Sequence, residues 1–188
     1  MELLDVLDVN GKITGIVKDK KQIYIDSDYH RTVHIWIINS NNEILVQKRN
    51  PKKSTYPGLW AISVAGHVKS GETSIEAALR ELKEEIGQKL SREELKYLFT
   101  VKRNIKYEQY TINAIDDVYL VKLDIDVENT KLQFSELTDI KYVYYEYLEQ
   151  IFKNHDKEYV PYEKEHELLF EYLNKTLKKY WWNTFFCL

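Results

Sequence analysis

Three glutamates, Glu81, Glu84 and Glu85, stand at i, i+3 and i+4 in this 188-residue chain. On a helix that spacing puts them on one face. Like charges at i,i+4 repel, and carboxylates in the last turns of a helix meet the negative end of its dipole, so the cluster is unfavourable unless a cation sits among it. Hard divalent cations such as Mg²⁺ or Mn²⁺ take carboxylate oxygens together with substrate phosphates, and they suit such a set. Arg80, i,i+4 to Glu84, can hold a carboxylate through its planar fork.

A helix must therefore position these side chains, and its ends are written in the sequence. Thr73-Ser74-Ile75-Glu76 is a capping box, and Gly87 can adopt the left-handed conformation that closes a helix. Between them Ile75, Leu79, Leu82 and Ile86 recur at helical spacing and predict an apolar stripe, with the glutamates on a second face. A short strand over Trp60–Ala65 delivers Gly66, which lets the backbone approach a substrate as only glycine can.

The whole stretch, GHVKSGETSIEAALRELKEEIG from Gly66 to Gly87, resembles the signature of the Nudix hydrolase family, Gly-x5-Glu-x7-Arg-Glu-U-x-Glu-Glu-x-Gly-U with U apolar. Gly66, Glu72, Arg80, Glu81, Leu82, Glu84, Glu85 and Gly87 fall in place, and Gln88 departs from the pattern. The resemblance implies an α/β fold, the Nudix-type α/β/α sandwich with a mixed β-sheet. It also implies hydrolysis of a diphosphate linked to another moiety. Glu81, Glu84 and Glu85 then correspond to metal ligands, Arg80 to a carboxylate orienter and Glu72 to a helper near the helix start. Asp117, after Asp116, is the candidate for a further catalytic acid or base from outside the signature; Glu163 and Glu165 are weaker ones.

The flanks resemble the Nudix branch that includes isopentenyl-diphosphate isomerase. His30-Arg31, His34, Gln47-Lys48-Arg49, Tyr56-Pro57-Gly58-Leu59-Trp60 and Ser63-Val64-Ala65-Gly66-His67 carry this likeness. It implies metal ligation by His67, with His30 at a second matching position. Lys48 and Arg49 are candidates for binding substrate phosphate. Where the isomerase has a catalytic cysteine this chain has Ala65, and its only cysteine is Cys187. Alanine cannot move a proton, so hydrolysis is expected over isomerisation. A nucleotide-sensing module is the third reading.

Length and a hydrophobic share of 44% predict one domain spanning residues 1–188. Residues 1–28 form its N-terminal hairpin and lead-in, 66–88 the signature loop and helix, and 146–188 the C-terminal helices and aromatic tail. Asn10-Gly11 is a hairpin signal between two β-rich runs. Strands are expected at 32–38, 43–48, 97–106, 110–115, 118–124 and 140–145, and helices at 146–154 and 163–180. A net charge of −3 offers no field for a nucleic-acid polymer. The lone cysteine, the acidic start and the lack of a long apolar run point to a cytoplasmic protein away from membranes. The aromatic end, Tyr180 to Leu188, either packs on the domain or forms a homodimer contact. The expected partner is a small-molecule diphosphate, of nucleoside or prenyl type, with Mg²⁺ or Mn²⁺ as cofactor.

Overall fold

The computed structural model of the chain describes residues 2–106 and 110–184, with side chains as far as residue 177. The N-terminal hairpin forms as its turn signal predicts. β1 (Leu3–Leu7) pairs antiparallel with β2 (Ile13–Asp19), and Gly11 takes φ +83° in the connection. A short helix follows, α1 (Lys20–Asp26), in the lead-in where no helix was expected. Asp19 caps it by accepting the Lys21 N–H at 3.0 Å, and Ile23 is its one buried side chain. One inward residue in seven leaves no periodicity to read.

β3 (Tyr29–Ile38) is the central strand. It runs parallel to β8 (Thr111–Lys122) and antiparallel to β6 (Val64–His67), so the sheet is mixed. β7 (Lys96–Lys106) pairs antiparallel with β8, and a 3₁₀ turn, Arg92–Glu94, precedes it. β8 is continuous where the sequence suggested a polar break at Asp116-Asp117. Both aspartates are buried within the strand, because each finds a cationic partner on its own face.

β4 (Glu43–Arg49) pairs with β9 (Leu137–Tyr144) along most of its length but meets β3 at a single rung, Ile38↔Ile44. Beyond that rung β3 and β4 part like a fork. The segment expected as one strand at 60–65 fills it in two legs: β5 (Trp60–Ala61) runs in along β4, and β6 runs out along β3. Ser63 stands at the apex. Its Oγ accepts the Ile37 N–H at 2.9 Å and donates to the Leu45 carbonyl at 2.5 Å, replacing a backbone rung with a side chain.

Helices cover both faces. On one, α2 (Ser74–Ile86) buries Ala77, Ala78, Leu82 and Ile86 against Val33, Ile35, Ile37 and Val121. Burying a side chain such as Leu82 stabilises by about 1.5–3 kcal/mol. The Thr73 capping box and the left-handed Gly87 close this helix at the predicted ends. On the other face α3 (Tyr145–Lys153) and α4 (Glu163–Thr184) pack Leu148, Ile151, Leu169, Phe170 and Leu173 over Trp36, Ile44, Val46 and Val118. The result is an α/β/α sandwich. The side chains of the aromatic end and Cys187 lie outside the described residues.

Candidate active site

A cleft of about 200 Å³ opens at the wide end of the fork. Gln47 and Arg49 from β4 line it, as do Thr32 and His34 from β3, Ala65, Gly66 and His67 from β6, and Arg80, Glu81 and Glu85 from α2. The glutamates do not share the face equally. Glu81 and Glu85, one turn apart, are buried with the core-facing side of α2, whereas the Glu84 side chain is 44% exposed and stands outside the cleft lining. The apolar stripe is correspondingly turned: Ala77 and Ala78 are fully buried, while Ile75 and Leu79 are only partly so.

The Glu85 carboxyl touches Gln47 Nε2 at 3.4 Å, and burial pushes its pKa well up, with Glu81 and Glu136 adding to the effect. Burial likewise raises Glu81, opposed by Arg80 at 2.5 Å. Two partly compensated acids thus face one space, and their oxygen donors fit a hard divalent cation.

Arg80 gives its fork to Glu72, through Nε and Nη2 at 2.8 Å each, rather than to Glu84, which it reaches at 3.3 Å. Its Nη2 also donates to the His67 carbonyl at 2.9 Å. Burial alone would lower its pKa, but Glu72 and Glu81 outweigh burial and raise it. Arg80 therefore ties the loop before α2, strand β6 and the glutamates together. Gly66 serves a purpose other than a special φ: a Cβ there would run into the Glu81 carboxyl.

Strand phase sorts the remaining candidates. Arg49 lines the cleft and donates to the Thr55 carbonyl at 3.0 Å, but Lys48, on the opposite face of β4, lies over the Trp60 ring at 5.5 Å. Asp117 is likewise turned from the cleft, accepting two hydrogen bonds from Arg31 Nη1 at 2.8 and 2.9 Å and one from Thr100 at 2.6 Å. Its neighbour Asp116 points the other way and accepts Arg103 Nε at 2.6 Å, Nη2 at 2.9 Å, and the Thr32 hydroxyl.

His67 faces the cleft with Nε2 3.0 Å from the Tyr24 hydroxyl and Nδ1 3.4 Å from Glu2, and burial lowers its pKa. His30, its ring 5.4 Å from that of His67, is buried with Nδ1 unpartnered; burial brings its pKa down to about 3. His34 bonds through Nδ1 to Glu165 at 2.6 Å, and Glu165 also accepts Trp36 Nε1 at 2.8 Å. Of the two weaker acid candidates, Glu165 is buried, whereas Glu163 is exposed. His34, Asp116 and Glu165 bring three potential ligand atoms within 4.8 Å of one another, but Arg103 already neutralises Asp116.

Sequence reasoning did not single out Glu2, Lys20, Tyr24, Lys53, Arg103, Glu136 or Tyr162, all of which line the cleft. They come from six separated stretches and carry no mutual spacing. The alternation of β4 could have separated Arg49 from Lys48.

The NUDIX domain profile matches residues 28–164. The chain belongs to the Nudix family. Its Nudix hydrolase relatives and Nudix fold neighbours indicate a pyrophosphohydrolase. Nudix hydrolase 3 of Arabidopsis thaliana is 38% identical over 167 residues, 86% of this chain and 22% of that protein, so the chain spans about a fifth of that relative's length. An uncharacterized Nudix hydrolase of Listeria innocua is 30% identical across 86% of this chain and 90% of its own length. An isopentenyl-diphosphate Delta-isomerase of Pectobacterium atrosepticum is 34% identical over 82 residues, 44% of this chain and 45% of the isomerase. Among solved structures, DR0079 from Deinococcus radiodurans shares the Nudix fold with a TM-score of 0.61 at 24% identity, covering 81% of this chain and 90% of that one.

Proposed function

We propose that this Nudix protein hydrolyses the diphosphate linkage of a small nucleoside-diphosphate-type or prenyl diphosphate, dependent on Mg²⁺ or Mn²⁺. The observation that carries this reading is the convergence of buried Glu81 and Glu85 on a cleft that also presents Arg49 and Lys53. In it, Glu81 and Glu85, with Glu84 beside them on the same helix, would hold the divalent ion. The bound ion would neutralise phosphate charge and lower the pKa of a water.

The chain's own groups supply the rest. Arg49 and Lys53 engage the phosphates, and Arg80 fixes the Glu81 carboxyl while anchoring the loop through Glu72. Water attacks one phosphorus, the anhydride P–O bond breaks, and the departing phosphate keeps the electron pair. Glu136, on the cleft and close enough to Glu85 to raise its pKa, receives the water's proton. Isomerisation would need a proton donor at the site of Ala65, which lines the cleft without one.

The test is release of phosphate or monophosphate from nucleoside diphosphates, their sugar conjugates and prenyl diphosphates, with and without Mg²⁺. Metal-dependent release, abolished in folded Glu84→Gln or Glu85→Gln, is the expected result. Isomer interconversion without phosphate release would establish the isomerase. Ligand binding with no turnover would establish a nucleotide sensor.

A further inference from the structure

Past the glutamates, the cleft runs to a floor made by Thr32, His34, Arg103 and Tyr162. Arg103 projects from β7 with its guanidinium carbon 4.8 Å from the centre of the Tyr162 ring. It spends Nε and Nη2 on Asp116. Among the described residues Nη1 has no hydrogen-bond partner, although the side chain is only 17% exposed. Asp116 is in turn fixed by Thr32, whose neighbour along β3, His34, is held by Glu165.

A buried ion pair of this kind is poor evidence for stability, because desolvating both charges offsets most of their attraction. What the arrangement does supply is a rigid cation with one donor edge left over, facing a polar cavity. His30 lines the same cleft, but its Nδ1 is already shut off from solvent. A hydrocarbon placed there would cover the free edge of Arg103 without giving it a partner, costing on the order of 10–100-fold in affinity. An oxygen acceptor would satisfy Arg103 instead.

We propose that Arg103 is a specificity-determining residue that binds an oxygen acceptor, a sugar hydroxyl or an anionic oxygen, on the group attached beyond the diphosphate. The cleft thereby selects nucleotide or sugar diphosphates over isoprenoid ones. This rests on the hydrolase reading for the position of the diphosphate. Asp116 and, through Thr32 and His34, Glu165 are positioning residues for the guanidinium.

The experiment separates binding from turnover. Binding of UDP-glucose, UDP and dimethylallyl diphosphate is measured by calorimetry with Mg²⁺ on the Glu85→Gln chain, with Arg103 intact and as Arg103→Gln. kcat and KM are measured with Glu85 present. With Arg103 intact, UDP-glucose binds at least about 10-fold more tightly than dimethylallyl diphosphate. Arg103→Gln weakens UDP-glucose about 10-fold or more and raises its KM, while dimethylallyl diphosphate changes less than about twofold. Loss shared by UDP places the contact on the nucleotide; loss confined to UDP-glucose places it on the sugar.

Tighter binding of dimethylallyl diphosphate than of UDP-glucose by the chain with Arg103 intact overturns the proposal. So does an Arg103→Gln chain that loses nothing, or loses equally for all three. Arg103→Lys keeps a charge beside Asp116 without the planar fork; it should melt like the parent yet show the same selective loss. Selective binding with no turnover by any Glu85-containing chain would defeat the hydrolase reading and leave the Arg103 subsite standing.

Discussion

Gly66 and Glu81 occupy one another's space, which makes the signature glycine a steric requirement of the carboxylate. Gly66→Ala should displace the Glu81 carboxyl and destabilise the fold by about 1–3 kcal/mol, as overpacking does. A fall in kcat of at least about tenfold is expected with it, read from initial rates and a thermal melt of the same preparation. Glu85 gives a prediction in pH. Burial raises its pKa above the ordinary 4.5 in the metal-free folded chain. The folded state then binds more protons than the unfolded one as pH climbs from 4.5 through the raised value, so stability is lost across that window. Glu85→Gln removes the charge and should melt higher than the parent at pH 8 in EDTA, by about 2–4 °C per kcal/mol for a chain of this size. The two should converge near pH 4. An unchanged difference across that range would show that Glu85 is not the group responsible.

At the scale of elements, alternation along a strand decides which of two neighbours can act. β4 turns Arg49 into the cleft and Lys48 onto Trp60. Arg49→Ala should therefore raise KM about tenfold or more, and Lys48→Ala should leave kcat/KM within about twofold. Steady-state kinetics on both variants checks the phase of the strand directly. The same alternation explains what the sequence made legible and what it did not. The α2 helix could be read end to end, because Thr73, Glu76 and Gly87 are local signals whose meaning needs no distant residue. The N-terminal hairpin turn at Asn10-Gly11 was legible for the same reason. Asp116 and Asp117 are adjacent letters with opposite surroundings, set by Arg103 on one side and Arg31 on the other. No local pattern says which faces the cleft. Glu165 resembles any charged residue on a helix until Trp36 and His34 are brought beneath it from about 130 residues away.

Across the whole molecule, two apolar cores lie on opposite faces of one mixed sheet, and the cleft sits at its end where neither core reaches. No helix among the described residues is long and apolar enough to cross a membrane. An ion that binds only the folded chain must stabilise all of it, by about 2.7 kcal/mol at 100 times its dissociation constant. Mg²⁺ or Mn²⁺ should thus raise the melting temperature saturably, and Glu85→Gln should shift the rise to higher ion concentrations. A melt in which the parent ignores both ions would remove the carboxylates from metal binding. The arrangement of strands adds a mechanical consequence. The acids ride on α2 with β3 and β6, whereas Arg49 and Lys53 ride on β4 and the loop after it. These two arms are joined at the Ile38↔Ile44 rung and pinned by Ser63. The arms meet again across the cleft, where Gln47 on β4 reaches Glu85 on α2 at 3.4 Å and the Gln133 N–H donates to the Glu85 carbonyl at 2.9 Å. They are the jaws of a fixed gauge: the span between acids and cations is set by the fork itself, so a substrate is measured by whether its phosphates reach from one jaw to the other.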